Sequence, residues 1–162
     1  MTASTPQFGK PEPGASYRDR PAAFGIAFRG GKMAMVRVTT PDAAPWFDLP
    51  GGALDPGEDD AAALVREFGE ETGLKVRAGA PVARADQVFR KSDGEAVNNR
   101  AGIYEAAIVG EDEALKIEDD HELVWFEPGQ ALTLLRHDSH AWAVLAWLRK
   151  HSSPASSPGL TG

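Results

Sequence analysis

Apolar and polar positions along the chain follow two periods. Ala22–Phe28 and Lys32–Val38 are short apolar runs on either side of Gly30-Gly31, a pattern that predicts a β-hairpin. Trp46–Leu49 is a further short strand, ended by Pro50-Gly51-Gly52. From Asp60 to Thr72 the period lengthens. Ala61, Leu64, Val65 and Phe68 fall at i, i+3, i+4 and i+7, the apolar stripe of a helix. The turn signal Asp55-Pro56-Gly57 precedes that helix, Asp59 and Asp60 suit its start, and Gly73 stands where a C′ glycine belongs. Beyond it, Lys75–Ala78, Pro81–Phe89, Ala101–Val109 and Glu122–Phe126 read as strands. Polar Arg90–Arg100 and acidic Gly110–Asp120 read as loops between them. Pro128–Leu135 and Ser139–Lys150 read as helices, with Ser139 as the expected N-cap of the second. This order predicts the α/β class, with a mixed β-sheet sandwiched between helices as an α/β/α sandwich.

The two ends lack such periods. Residues 1–20 are rich in Pro, Gly, Ser and Thr and are expected to form a loose arm. Residues 151–162 are expected to form a flexible tail, which leaves 21–150 as one domain. A chain of 162 residues, 42% hydrophobic and 25% charged, suits a single globular domain. The net charge of −7 argues against a long nucleic-acid partner, which calls for a basic footprint. The chain has no cysteine, so it has no disulfide, zinc thiolate or thiol nucleophile. With no apolar run long enough for a membrane span and no signal-peptide pattern, the expected location is the cytoplasm, away from membranes.

The predicted helix carries the chemistry. Glu67, Glu70 and Glu71 are spaced i, i+3, i+4 and share one face, centred roughly 120° from the apolar stripe at ~100° per residue. Three carboxylates there repel one another. A hard divalent cation with oxygen ligands removes that conflict, and Mg²⁺ suits a carboxylate cluster that also receives phosphates. Arg66 cannot ligate a metal, but its fork suits holding a carboxylate, either Glu58 or Glu70, in a fixed orientation.

The stretch Gly52–Leu74, GALDPGEDDAAALVREFGEETGL, fills a fixed frame: Gly52, Glu58, Arg66-Glu67, apolar Phe68, Glu70-Glu71, Gly73 and apolar Leu74. In this it resembles the signature box of the Nudix hydrolase family (MutT-like), which has an α/β/α sandwich fold. The resemblance implies hydrolysis of a nucleoside diphosphate linked to a moiety X, by water attack on phosphorus in the pyrophosphate bridge. It implies Mg²⁺ as cofactor, with Mn²⁺ as a substitute. Glu67 and Glu71 would be metal ligands, Glu70 a ligand or base, and Glu58 an outer or occasional ligand. Arg66 would orient the carboxylates, and the main-chain carbonyl of Gly51 would help bind metal. Relatives often add a carboxylate from the loop before the last strand, where Glu118, Asp119, Asp120 and Glu122 stand; Glu118 or Asp120 is preferred as an extra ligand or general base. His121 is read as structural.

The marks of the ADP-ribose, dinucleoside polyphosphate, NADH and coenzyme A hydrolases are missing; Phe89-Arg90, for instance, stand where an ADP-ribose hydrolase has its proline. A small-molecule nucleotide, in particular a nucleoside triphosphate, is the expected substrate. Arg37, Asp48, Leu49 and the Ser139-His140 turn would line its pocket. The alternatives are a hydrolase of nucleotide sugars or another larger substrate docking at Arg90–Arg100, and a non-catalytic nucleotide-sensing module. A homodimer would be usual for the family.

Overall fold

The computed structural model describes residues 4–152, and in it the first apolar run is divided between two sheets. The strands are β1 (Gln7–Phe8), β2 (Arg18–Ile26), β3 (Phe28–Arg29), β4 (Lys32–Thr40), β5 (Ala43–Asp48), β6 (Gly51–Ala53), β7 (Leu74–Arg90), β8 (Ala96–Glu111) and β9 (His121–Phe126). The helices are α1 (Asp60–Thr72), α2 (Pro128–Leu134) and α3 (Asp138–His151). Five strands form a mixed sheet in the order β1-β7-β8-β2-β6, parallel at β1/β7 and β2/β8 and antiparallel elsewhere. In the second sheet β4 pairs antiparallel with β3, β5 and β9.

The expected hairpin is therefore only partly formed. Gly30 and Gly31 do turn the chain, with φ of 60° and 77°. The ladder they close is just Phe28↔Met33 and Arg29↔Lys32. β2 leaves for the five-stranded sheet because it is buried on both faces. Ala22, Phe24 and Ile26 join one apolar cluster, with Ala143 and Val144 of α3 and Ala131 of α2. Ala23 and Ala27 join another, with Ala63, Leu64 and Phe68 of α1. Helices thus cover both faces, and the expected sandwich is present.

α1 has the predicted limits. Asp59 caps it by accepting the Ala62 N–H at 2.8 Å, and Gly73 closes it at φ 75°. Its buried face differs from the predicted stripe. Leu64 and Phe68 are buried, but Ala61 is exposed and Val65 is 43% exposed, while Glu71 and Thr72 are buried. The helix is rolled toward β6, where the Glu71 carboxylate meets main chain. Gly25 of β2 admits the Phe68 ring, since a Cβ there would lie 2.6 Å from Phe68 Cε2.

Other expectations also change. The two strands predicted after α1 are one long strand, β7, with register shifts around Pro81. The Arg90–Arg100 loop contracts to a turn, because β8 begins at Ala96. Residues 4–20 are not a loose arm throughout: Gln7-Phe8 adds an edge strand beside Asp86-Gln87, and β2 starts at Arg18. His137, not Ser139, is the N-cap of α3. The expected tail lies outside the described residues from 153 onward, while His151 still belongs to α3.

Phe68→Ala should cost about 3–5 kcal/mol in urea unfolding, the range for a fully buried phenylalanine. Gly25→Ala should destabilise the native protein but cost less in the Phe68→Ala background, because the clash partner is gone. Additive costs would contradict this packing.

Candidate active site

The site is built where α1 crosses the edge strand β6. Ala23 and Gly52 form the hydrogen-bonded pair of the β2/β6 ladder, as the flanking bonds Gly25 N–H to Pro50 O and Leu54 N–H to Pro21 O require. That register turns the Gly51 N–H and C=O away from β2. The N–H donates to Glu71 Oε1 at 2.8 Å. Gly51 has φ 144°, and a Cβ on it would lie 2.2 Å from the Ala23 carbonyl oxygen. At Gly52 a Cβ would lie 2.8 Å from Glu67 Cδ. Both glycines thus allow carboxylates and backbone to approach closely.

Arg66 is the hub of the cluster. Its Nε and Nη2 each donate to Glu58 at 2.9 Å, a bidentate pair. Nη1 donates to Glu67 at 2.9 Å and to Glu70 at 3.1 Å, and Nη2 also reaches the Ala53 carbonyl at 3.0 Å. The sequence reading left Glu58 and Glu70 as alternatives, and Arg66 holds both. Its hydrogen bonds lower the Glu58 pKa. Burial raises that of Glu67 against the opposing pull of Arg66.

The acidic loop is tied to the end of the same helix. The Glu70 carbonyl, in the last turn of α1, accepts the N–H groups of Ile117 and Glu118 at 3.0 and 3.1 Å. Glu118, Asp120 and His121 there can each offer one ligand atom within 4.8 Å of the others. His121, expected to be structural, also lines the cavity described below. Its Nε2 lies 3.1 Å from Glu71 Oε2, and its Nδ1 2.8 Å from Asp120 Oδ1. Burial raises the Glu71 pKa, opposed by His121 and the Gly51 N–H. Burial works against a charged His121, but Glu71 and Asp120 outweigh it and raise its pKa.

Glu67, Glu71, Glu118 and Asp120 line one end of a cavity of about 270 Å³. Its other walls include Phe24, Trp46, Phe89 and His137. Asp48 lines it too, engaged with Arg136 Nη2 at 2.7 Å, while the Arg136 guanidinium lies 4.5 Å from the Trp46 ring centre and 5.3 Å from that of Phe89. His140 also lines it, accepting the Leu49 N–H at Nδ1 over 3.3 Å.

Several predicted residues stand elsewhere. The Leu49 side chain is in the core, because strand alternation turns it away from Asp48. Arg37 is not among the lining residues and faces Glu122 at 3.7 Å, since Val38 and Thr40 are the β4 positions that face the cavity. The Glu70 carboxylate is turned to Arg66 and stays outside the cavity lining. Ser139 is buried, its N–H donating to Gln87 at 3.1 Å. The sequence reading missed Arg20, Asn99 and the Trp46–Phe89–Arg136 wall. A hint was available for Arg20, which is in phase with Ala22, Phe24 and Ile26 along one strand face.

The family model described as NUDIX domain matches residues 18–148. A Mycobacterium tuberculosis protein named "Putative 8-oxo-dGTP diphosphatase 2" is 46% identical over 52 residues, which are 32% of this chain and 35% of that protein. The chain therefore matches about a third of that relative's length. A NUDIX hydrolase from Nitrosomonas europaea shares the fold with a TM-score of 0.70 at 17% identity, over 85% of this chain and 94% of that one. A MutT NUDIX hydrolase from Burkholderia pseudomallei gives a TM-score of 0.58 at 26% identity, over 80% and 98%.

Burial, the largest influence on both, pushes His137 down to about 2 and His140 down to about 4, so both are neutral in the fold near neutral pH. In the unfolded chain they titrate near 6.5. Below that value the unfolded state binds more protons, so this stability is full above 6.5 and declines as pH falls toward the folded values. Each histidine contributes a slope of up to ~1.4 kcal/mol per pH unit. Glu71 and His121, both raised, act in the opposite direction over the same range, so the test is a difference: between pH 7 and pH 5 the urea midpoint of His137→Phe should fall less, or rise more, than that of the native protein. The same pH dependence in both proteins would contradict a buried neutral His137.

Proposed function

Because this chain belongs to the NUDIX domain family, we propose that it is a metal-dependent hydrolase that cleaves the pyrophosphate linkage of a nucleoside diphosphate bonded to a moiety X. The substrate class best supported is the nucleoside triphosphate. The observation that carries this reading is the Arg66 fork, which holds Glu58, Glu67 and Glu70 while Glu67 and Glu71 open onto one cavity end.

The residues present fit a hard divalent cation, Mg²⁺ or Mn²⁺. The carboxylates at the cavity end are oxygen donors, and Glu71 is a buried carboxyl whose charge meets only the Gly51 N–H and His121 among the described residues. Glu67 and Glu71 would hold the ion, with Glu118, Asp120 and the outward Gly51 carbonyl nearby. When bound, the ion supplies charge neutralisation at phosphate oxygens and a more acidic water.

The chain's own residues supply positioning, the main requirement of phosphoryl transfer. Arg66 fixes the carboxylates, and Gly52 makes room for Glu67. Glu118 is the best placed to accept the proton of the attacking water on its carboxylate, because it lines the cavity and its main chain is fastened to α1. Glu70, turned toward Arg66, acts as a positioning residue. Trp46 and Phe89 offer flat apolar surfaces suited to a nucleobase. A cavity of about 270 Å³ is near the ~300 Å³ lower bound for small-molecule sites, which favours a single nucleoside over a larger X.

The decisive assay offers nucleoside triphosphates, oxidised triphosphates, nucleotide sugars, ADP-ribose and dinucleoside polyphosphates with Mg²⁺ or Mn²⁺, reading phosphate and pyrophosphate. Triphosphates should be cleaved fastest. Glu67→Gln should lower turnover more than about a hundredfold, beyond the usual effect of losing an outer partner of a metal site, with an unchanged circular dichroism spectrum. No release from any substrate would overturn the reading.

A further inference from the structure

Arg20 occupies a position where the strand pattern calls for an apolar side chain. It shares a face of β2 with Ala22, Phe24 and Ile26, which all belong to the core on the α3 side. Parallel pairing sets Arg20 beside Asn99 of β8, and Asn99 lies opposite Gln87 of β7. A polar row, Arg20–Asn99–Gln87, thus crosses three strands next to a row of three alanines, Ala22–Ala101–Ala85. Gln87 is occupied structurally, accepting the Ser139 N–H at 3.1 Å and donating to the Val88 carbonyl at 3.2 Å. Asn99 is only 3% exposed, and its Oδ1 accepts from Arg20 Nη1 at 2.9 Å.

The charge on Arg20 is not matched as the others in the cavity are. Arg136 pairs with Asp48 and Lys91 with Asp93. Among the described residues, Arg20 has no carboxylate at ion-pair distance, and Asn99 is its one hydrogen-bond partner. It is half-buried and lines the same cavity as Glu67 and Glu71. Burial lowers its pKa, with the Glu67 carboxylate the largest opposing influence though not at ion-pair distance, and a guanidinium remains charged. Of its five N–H groups, one is committed to Asn99. A partly desolvated cation of this kind is costly unless a ligand brings acceptors to it.

On the reading above, the phosphates belong at the carboxylate end, which leaves the nucleobase to the aromatic walls and Arg20. A planar fork matches two adjacent acceptors. We propose that Arg20, held in place by Asn99, is a specificity-determining residue that reads a base edge carrying two neighbouring acceptors. Guanine offers O6 with N7, and cytosine offers O2 with N3. Adenine sets an amino group beside each ring acceptor on that edge, and uracil or thymine interposes an N–H between its two carbonyls. Guanine oxidised at C8 carries a proton on N7 and loses the pair there. This inference rests on the proposed nucleotide function and adds the residue that selects the base.

The test compares kcat/KM for dGTP, dCTP, dATP and dTTP, with 8-oxo-dGTP as a fifth arm, in the native protein, Arg20→Lys and Asn99→Asp. Binding of the corresponding nucleoside monophosphates is measured in parallel by calorimetry. The native protein should favour dGTP or dCTP over dATP and dTTP by roughly tenfold or more, the discrimination of a bidentate arginine contact. The two leading arms distinguish guanine from cytosine, and dGTP should exceed 8-oxo-dGTP if guanine is the base. Arg20→Lys keeps the charge but loses the fork, and should level the series. Asn99→Asp should do the same by capturing Arg20 in an ion pair. A uniform fall across all bases would make Arg20 a phosphate contact and overturn the proposal, as would an unchanged ranking in both variants or a native preference for dATP, dTTP or 8-oxo-dGTP. If no triphosphate is cleaved, the monophosphate affinities still decide: a GMP or CMP preference lost in Arg20→Lys upholds the base reading while the hydrolytic one fails, and its absence removes both.

Discussion

One guanidinium sets the terms of the site. Glu58, Glu67 and Glu70 would repel one another at the distances that a single helix and its leading turn impose. Arg66 stands among them and uses Nε, Nη1 and Nη2 to bind all three, together with the Ala53 carbonyl. The planar geometry of the group matters as much as its charge. A lysine could neutralise one carboxylate, but it could not hold Glu58 through two parallel bonds while also reaching Glu67 and Glu70. Glu67, the one of the three that lines the cavity, is therefore fixed by a contact that lies behind it.

The rest of the fold brings that helix against an edge strand that contributes no side chain at Gly51 and Gly52. Gly51 and Gly52 have no Cβ, so Glu71 reaches a main-chain N–H and Glu67 lies against the strand. Burying Glu71 rolls α1 relative to its apolar stripe, and this roll exposes Val65. The end of the same helix captures the acidic loop through the Glu70 carbonyl, which brings Glu118 to the cavity. Helix packing, loop position and carboxylate geometry are thus linked through α1.

The local frame of this site was legible in the sequence, and its surroundings were not. The limits of α1, its acidic start at Asp59-Asp60, its stop at Gly73 and the shared face of Glu67, Glu70 and Glu71 follow from residue type and spacing. The division of the first apolar run between two sheets was hidden, because period-two alternation does not say which strand will be a neighbour. Leu49 and Arg37 were expected in the cavity, and the alternation of β5 and β4 turns them elsewhere. His121 looked like an isolated histidine because its partner, Glu71, is far away in sequence and meets it only across the fold. Arg20 and Asn99 are joined by parallel pairing, a relation between distant segments that leaves no local mark.

The central claim is that Arg66 organises a carboxylate cluster able to hold a divalent cation. The most direct test is a Mn²⁺ titration, followed by electron paramagnetic resonance, of the native protein and Arg66→Lys. The native protein should bind Mn²⁺, and the lysine variant should keep its fold but bind roughly 10–100-fold more weakly, the usual effect of losing the partner that orients a metal ligand. Equal affinity in the two proteins, or no binding by either, would contradict the account.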